Sequence, residues 1–180
     1  MDRLIKKVQK GNRKAQSQFY DQFSGMVMGI CVRYAKNEDL AADIFQEAFV
    51  KIFQKIGQVR DFDAIHGWIK RITVNTAIDH LKSTWPHEEL TSQSHELSDQ
   101  YYSELLDKMS NEAIQKLIDQ LPSGYRLVFN MSVIDGFSHK EIAAELGITE
   151  STSRSQLTHA RKELKKHLNE LGITKYEKVI

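Results

Sequence analysis

The sequence predicts an all-α chain of two small helical domains joined by an acidic linker, and three observations carry that expectation. Glycine and proline are scarce, with 9 and 2 in 180 residues. Long stretches repeat apolar residues at helical spacing, and none alternates apolar with polar as a half-buried strand would. Charge is unevenly distributed: residues 1–82 hold 14 basic against 9 acidic side chains, residues 83–120 hold 2 against 8, and residues 121–180 hold 9 against 7. Two mildly basic ends therefore flank an acidic middle within a net charge of +1. Such a partition fits two nucleic-acid-binding modules on a linker, and it fits solvated helix faces equally well.

The elements follow in order. Leu4, Ile5 and Val8 start a helix. Phe19, Phe23, Val27 and Ile30 continue the spacing after Gly11–Asn12. Leu40, Ile44, Phe45, Ala48, Phe49, Ile52 and Phe53 form a stripe, which Gly57 ends. The segment "QVRDFDAIHG" breaks the period. Trp68, Ile69, Ile72, Ala77, Ile78 and Leu81 then make a further stripe. These define an expected first domain over 1–84. Residues 85–110, rich in Ser, Thr, Glu and Gln, read as a solvated linker. Tyr101, Tyr102, Leu105 and Leu106 make a short helix leading out of it.

A second domain is expected over 111–180. Ile114, Leu117, Ile118 and Leu121 give one helix, stopped by Pro122. Leu127, Val128, Met131 and Ile134 give another, stopped by Asp135–Gly136. Ser138 with Glu141 three positions on is a capping-box signature opening a third helix, which buries Ile142, Ala143 and Leu146. Gly147 suits the positive φ of a helix end. Thr149 then caps a fourth helix whose Leu157, Ala160, Leu164 and Leu168 face the core.

Two helices joined by a tight glycine-containing turn make a helix-turn-helix. Its second helix opens on "ESTSRSQ", a polar run unsuited to a core. Ser151, Thr152, Ser153, Arg154, Ser155, Gln156 and His159 can hydrogen-bond base edges or phosphates. Arg161, Lys162, Lys165 and Lys166 can follow a phosphate backbone. The residues alone leave two readings, a DNA-reading helix and a solvated helix of a plain four-helix domain.

Other functions find little support. The single cysteine, Cys31, cannot form an internal disulfide and suits a reducing compartment. The N-terminal "MDRLIKKVQKGNRK" has charges but no apolar core, so a secretory signal is not expected. No run approaches the roughly 18 apolar residues of a membrane span. The expectation is a cytoplasmic protein. His159, Glu163 and His167 share a helix face, yet their order is not that of a zinc protease. His87 and His95 lie in the linker without matched partners. A Gly-rich phosphate loop and a nucleophile elbow are both missing. Neither an enzyme nor a cofactor is expected.

At this point a resemblance enters. "LPSGYRLVFNMSVIDGFSHKEIAAELGITESTSRSQLTHARKEL" resembles region 4 of bacterial sigma-70-type initiation factors. "EDLAADIFQEAFVKIFQKIGQVRDFDAIHGWIKRITVNTAIDHLK" resembles their region 2. Having these two regions alone, in this order, resembles the extracytoplasmic-function class. The resemblance implies a chain that binds core RNA polymerase, directs it to promoters and aids strand opening.

It also implies roles for residues. Asp39, Leu40, Asp43, Gln46, Glu47 and Phe49 fall on the helix that docks on the clamp helices of the largest polymerase subunit. The second domain would meet the polymerase flap. Arg60, Phe62, Trp68, Lys70, Arg71 and Asn75 fall on the element that opens and reads the −10 strand. Among them the cations would neutralise phosphates, and the aromatics would stack on unpaired bases. At Trp68 a core position is an equally good reading. Asp79 is expected to be structural, paired with a nearby cation. Ser151, Thr152, Arg154, Ser155, Gln156, His159 and Arg161 fall on the helix that reads the −35 duplex.

The family's usual "G-T-V-K/R-S-R-L" is here "S-T-S-R-S-Q-L". Ser153 replaces an inward-packing Val, Gln156 replaces an Arg, and His159 stands where Arg is common. Two fewer fixed cations should flatten the salt dependence by roughly one unit of slope each. An anti-sigma factor, membrane-linked in many relatives, is the other implied partner, and a small-molecule substrate is not implied. Two alternatives remain: a stand-alone helix-turn-helix regulator, and a polymerase-binding adaptor that does not bind DNA.

Overall fold

The computed structural model describes residues 1–82 and 111–171. The expected linker and its short helix at Tyr101–Leu106 lie outside those residues. The chain divides into two compact units, Met1–Ser83 and Thr84–Ile180. All regular structure among the described residues is helical.

The first unit is built from α1 (Asp2–Gln9), α2 (Arg13–Tyr34), α3 (Glu38–Lys55) and α4 (Ile65–Lys82). Local chemistry sets each break. Gly11 takes a φ of +74°, a conformation that costs glycine little. Asn12 then caps α2, its side chain accepting from the Ala15 amide at 2.9 Å. Asn37 caps α3 in the same way, through the Leu40 amide at 2.8 Å. A single 3₁₀ turn, Ile56–Gln58, ends α3, so the glycine at 57 lies just past the helix.

Helices α2, α3 and α4 pack on one another, and α1 lies on α2. Their core is aromatic. Phe19 lies 4.5 Å from Phe23 and 5.9 Å from Phe53, and Phe49 lies 4.6 Å from Tyr20, ring centre to ring centre. Tilted pairs at such spacing add to the area they bury. Cys31 is fully enclosed, and burial pushes its thiol up to about 12. It stays protonated at neutral pH and serves as a small apolar group.

The second unit contains α5 (Asn111–Asp119), α6 (Ser123–Phe129), α7 (His139–Leu146) and α8 (Glu150–Glu170). The sequence predicted one helix from Leu127 to Ile134. Instead α6 stops at Phe129, and Asn130–Ile134 continue as a wider π turn closed by the Asp135 amide on the Asn130 carbonyl at 2.9 Å. The wider turn shifts the facing: Met131 and Asn130 are buried, and Ile134 is only half-buried. Ala143, expected inside, is half-buried as well. The core of this unit is smaller in its side chains, with Ile118, Val128, Phe129, Met131, Ile142 and Leu157 at its centre.

Candidate nucleic-acid interface

In the second unit, α7 and α8 are fixed by their caps. The Ser138 hydroxyl and the Glu141 carboxylate satisfy each other's backbone amides, a complete capping box. Gly147 adopts φ +68°, the left-handed end that closes α7. Thr149 caps α8 by accepting from the Thr152 amide at 3.0 Å. A three-residue turn thus sets the two helices against each other, and they pack together.

On α8, Ser151 and Arg154 are exposed, and Thr152 and His159 are half-buried. Arg154 Nη2 donates to Glu150 Oε2 at 2.9 Å, with the Arg154 side chain 53% exposed. The His159 ring stacks on Tyr125 of α6 at 5.4 Å and 17°. Three expected contact residues are not presented in this structure: Ser155, Gln156 and Arg161 are 6%, 3% and 6% exposed. Gln156 and Arg161 flank the buried Leu157–Ala160–Leu164 stripe, one on each side, which encloses most of their length. Ser155 lies on the other side of the helix from Leu157, and its short side chain is enclosed there. Burial holds the Arg161 guanidinium below its usual range. Among the described residues, the Gln156 carbonyl oxygen has no hydrogen-bond partner.

Ser153, which replaces the inward-packing Val of the resembling family, is fully buried. Its hydroxyl lies 2.8 Å from Nδ1 of His139, the first residue of α7. Burial holds that imidazole below its usual range, and the nearby Arg154 charge adds to the effect.

In the first unit, the outward face of α3 carries Asp39, Asp43 and Gln46, all exposed. Val50 continues that face and is 54% exposed. It was missing from the expected set, although the spacing 39, 43, 46, 50 points to it. Phe49 does not belong there. It is 5% exposed and packed between Tyr20, Phe45 and Phe53, because it sits on the core stripe with Phe45 and Ile52. Leu40 is half-buried. Glu47 is engaged within the unit: Lys51 donates to it at 2.8 Å and His80 Nε2 at 2.7 Å. Those hydrogen bonds, Lys51 first, hold its carboxyl below the usual range. Asp79 accepts from Lys51 and Lys82 at 3.4 and 3.3 Å, the structural pairing expected of it.

The segment between α3 and α4 is tied at its base. The Gln9 amide donates to the carbonyls of Ile56 and Val59 at 2.9 and 3.0 Å. Asp61 accepts from the Asp63 amide at 3.0 Å. Lys6 lies 5.7 Å over the ring of Phe62. Sequence reasoning missed Lys6 and Gln9, because contacts between α1 and a loop some 50 residues later leave no periodic trace. Arg60 and Arg71 are exposed, and Phe62, Trp68, Lys70 and Asn75 are half-buried. Trp68, Arg71 and Asn75 fall at i, i+3 and i+7 on one face of α4. Lys70 does not share that face, being displaced from Trp68 by two residues and so turned to the other side.

The model for sigma-70 region 2 matches residues 19–87, and the model for sigma-70 region 4 matches residues 111–164. The chain belongs to the sigma-70 family. It is a transcription initiation factor of the extracytoplasmic-function class, which directs RNA polymerase to promoters. It is 28% identical to the RNA polymerase sigma-H factor of Pseudomonas aeruginosa over 93% of each chain. It is 26% identical to the ECF RNA polymerase sigma-E factor of Haemophilus influenzae, over 93% of this chain and 95% of that one. The sigma-E factor of Escherichia coli K12 is 28% identical over 88% of each chain. Among solved structures, CnrH in complex with the cytosolic domain of CnrY shares the fold, at a TM-score of 0.50 and 20% identity. That match covers 93% of this chain and 96% of CnrH. Sigma factors are not enzymes, and no described helix is long and apolar enough to cross a membrane.

Proposed function

We propose that this sigma factor binds core polymerase through the α3 face of Asp39, Asp43, Gln46 and Val50. The partner is the pair of clamp helices of the largest subunit. The observation that carries the reading is this face itself: two carboxylates, an amide and an exposed valine in one row, on a helix whose other side is core. Carboxylates beside an apolar residue suit a basic helical partner. Glu47 supports the face from its edge by bracing α3 against α4.

The −10 strand would meet the loop of Arg60 and Phe62 and the α4 face of Trp68, Arg71 and Asn75. Arginines there neutralise phosphates, and a half-exposed aromatic offers a stacking surface. The −35 duplex would take the first turns of α8 in its major groove, with Ser151, Thr152, Arg154 and His159 nearest the bases. Weak DNA binding by each unit becomes strong once polymerase presents both at once, a gain in effective concentration. The working compartment is the cytoplasm. An anti-sigma factor is the regulatory partner, a reading supported by the fold shared with CnrH, which is solved with CnrY.

The test is run-off transcription from a genomic promoter library with purified core polymerase. Transcripts that depend on this chain give its −10 and −35 preferences directly. Co-elution with core without transcripts would favour an adaptor. Tight promoter binding without core would favour a stand-alone regulator.

A further inference from the structure

The helix-turn-helix contains a polar link that its core does not require. Ser153 is fully buried within the stripe of Leu157, Ala160 and Leu164. A buried hydroxyl is costly unless it is bonded. Here it is bonded across the motif, to Nδ1 of His139 at 2.8 Å, fourteen residues earlier. His139 itself cannot drift, because it is the first residue of α7 and lies inside the Ser138–Glu141 capping box.

The link ends next to the exposed side chain of the motif's reading edge. Arg154 follows Ser153 directly, and Glu150 holds its guanidinium from one turn earlier at 2.9 Å. Arg154 is thus fixed from two sides, its guanidinium by Glu150 and its backbone by the Ser153–His139 bond. A valine at 153 would give only apolar contact, which tolerates sliding and rotation. A hydrogen bond is directional, and base readout by a fork-shaped side chain depends on its orientation.

We propose that His139 and Ser153 are positioning residues for −35 recognition, setting the rotation of α8 so that Arg154 meets its base. This rests on the reading of α8 as the −35 helix. His139 need not touch DNA; it acts through Arg154.

The experiment uses the full chain with core polymerase on promoter pairs that differ only in the −35 element. The variants are His139→Ala, His139→Asn, Ser153→Val, Arg154→Ala and the double variant His139→Ala with Arg154→Ala. His139→Ala should lower discrimination between the paired promoters by about five- to tenfold, with binding to core unchanged. His139→Asn, which keeps a short side chain able to bond the hydroxyl, should recover part of it. The double variant should discriminate no worse than Arg154→Ala alone.

Full discrimination in His139→Ala, or additive losses in the double variant, would overturn the proposal. So would a loss in His139→Ala that tracks its thermal stability and appears equally on promoters lacking a −35 element. Should His139→Ala fail to fold, Ser153→Val decides: a folded, discriminating variant with valine there removes any need for the bond. If Arg154→Ala itself leaves discrimination intact, the −35 assignment of α8 fails instead, which is a separate result.

Discussion

The two units solve the problem of a small core in different ways. The first uses long helices of 22, 18 and 18 residues and interlocks aromatic rings between them. Its candidate surfaces lie on faces turned away from that core. The second sets one helix of 21 residues against three short ones of 9, 7 and 8, held by caps and tight turns. Its core also contains polar groups, among them Ser153, Gln156, Arg161 and Asn130. In the first unit, the proposed binding face and the core lie on opposite sides of α3, so binding and stability can be altered separately. In the second, the proposed reading residues and the core share α8, so a change on the reading side reaches groups that also hold the fold.

Substitutions can break this contrast or sharpen it. The largest effect should come from Phe49→Ala. Removing a buried ring typically costs about 3–5 kcal/mol, so thermal unfolding of residues 1–83 should shift down strongly and polymerase binding should fall with it. Asp43→Arg is the counterpart, expected to abolish core binding with an unchanged melting temperature. A large loss of stability in Asp43→Arg would mean that the faces of α3 are not separable.

Arg154→Ala comes next. Loss of a bidentate base contact should cost about 1–3 kcal/mol of discrimination at the −35 element, measured by competition between promoters, with core binding intact. A smaller effect is expected at Gly147→Ala. A methyl group there meets no atom within 4 Å, so the cost is purely that of a positive φ. That is about 1 kcal/mol, readable as a lower denaturant midpoint for the second unit alone.

The smallest effect belongs to Glu47→Gln. The Glu47 carboxyl is held below its usual value of 4.5, so its contribution is present above that pH and is lost as pH falls through the folded value. The pair is largely solvated, so the difference between Glu47→Gln and the parent should be about 0.5 kcal/mol at neutral pH. It should vanish in acid. A difference that persisted at acidic pH would mean that Glu47 supports α3 by shape rather than by charge.

Much of the fold was legible because helical periodicity and caps are local signals. Ser138 with Glu141, Gly147 and Thr149 set the helix-turn-helix within a dozen residues, and each behaves as its chemistry requires. The break at Asn130 was not legible, because a π turn depends on how the segment packs on α7 rather than on any residue type within it. Of the expected docking set, Asp39, Asp43 and Gln46 share one exposed face of α3 with Val50, whereas Phe49, which the sequence reading gave both to that set and to the apolar stripe, faces the core. An aromatic beside a carboxylate row looks the same in sequence whether it faces a partner or a core. Helical phase decides it, and a one-residue change of phase turns a side chain by about 100°.

The sequence by itself determined the helical class, the caps and turns, and the order of two motifs specific enough to indicate an initiation factor. Those features depend on neighbours a few residues away. Only the tertiary structure decided which members of the polar run on α8 are presented. It enclosed Gln156 and Arg161 beside the core stripe and left Ser151 and Arg154 outside. It also joined Ser153 to His139, Glu47 to His80, and Gln9 to the loop before α4. These contacts join residues 14 to 50 positions apart. Burial and hydrogen-bond partnership at such separations come from the packing of whole helices, and no local pattern encodes them.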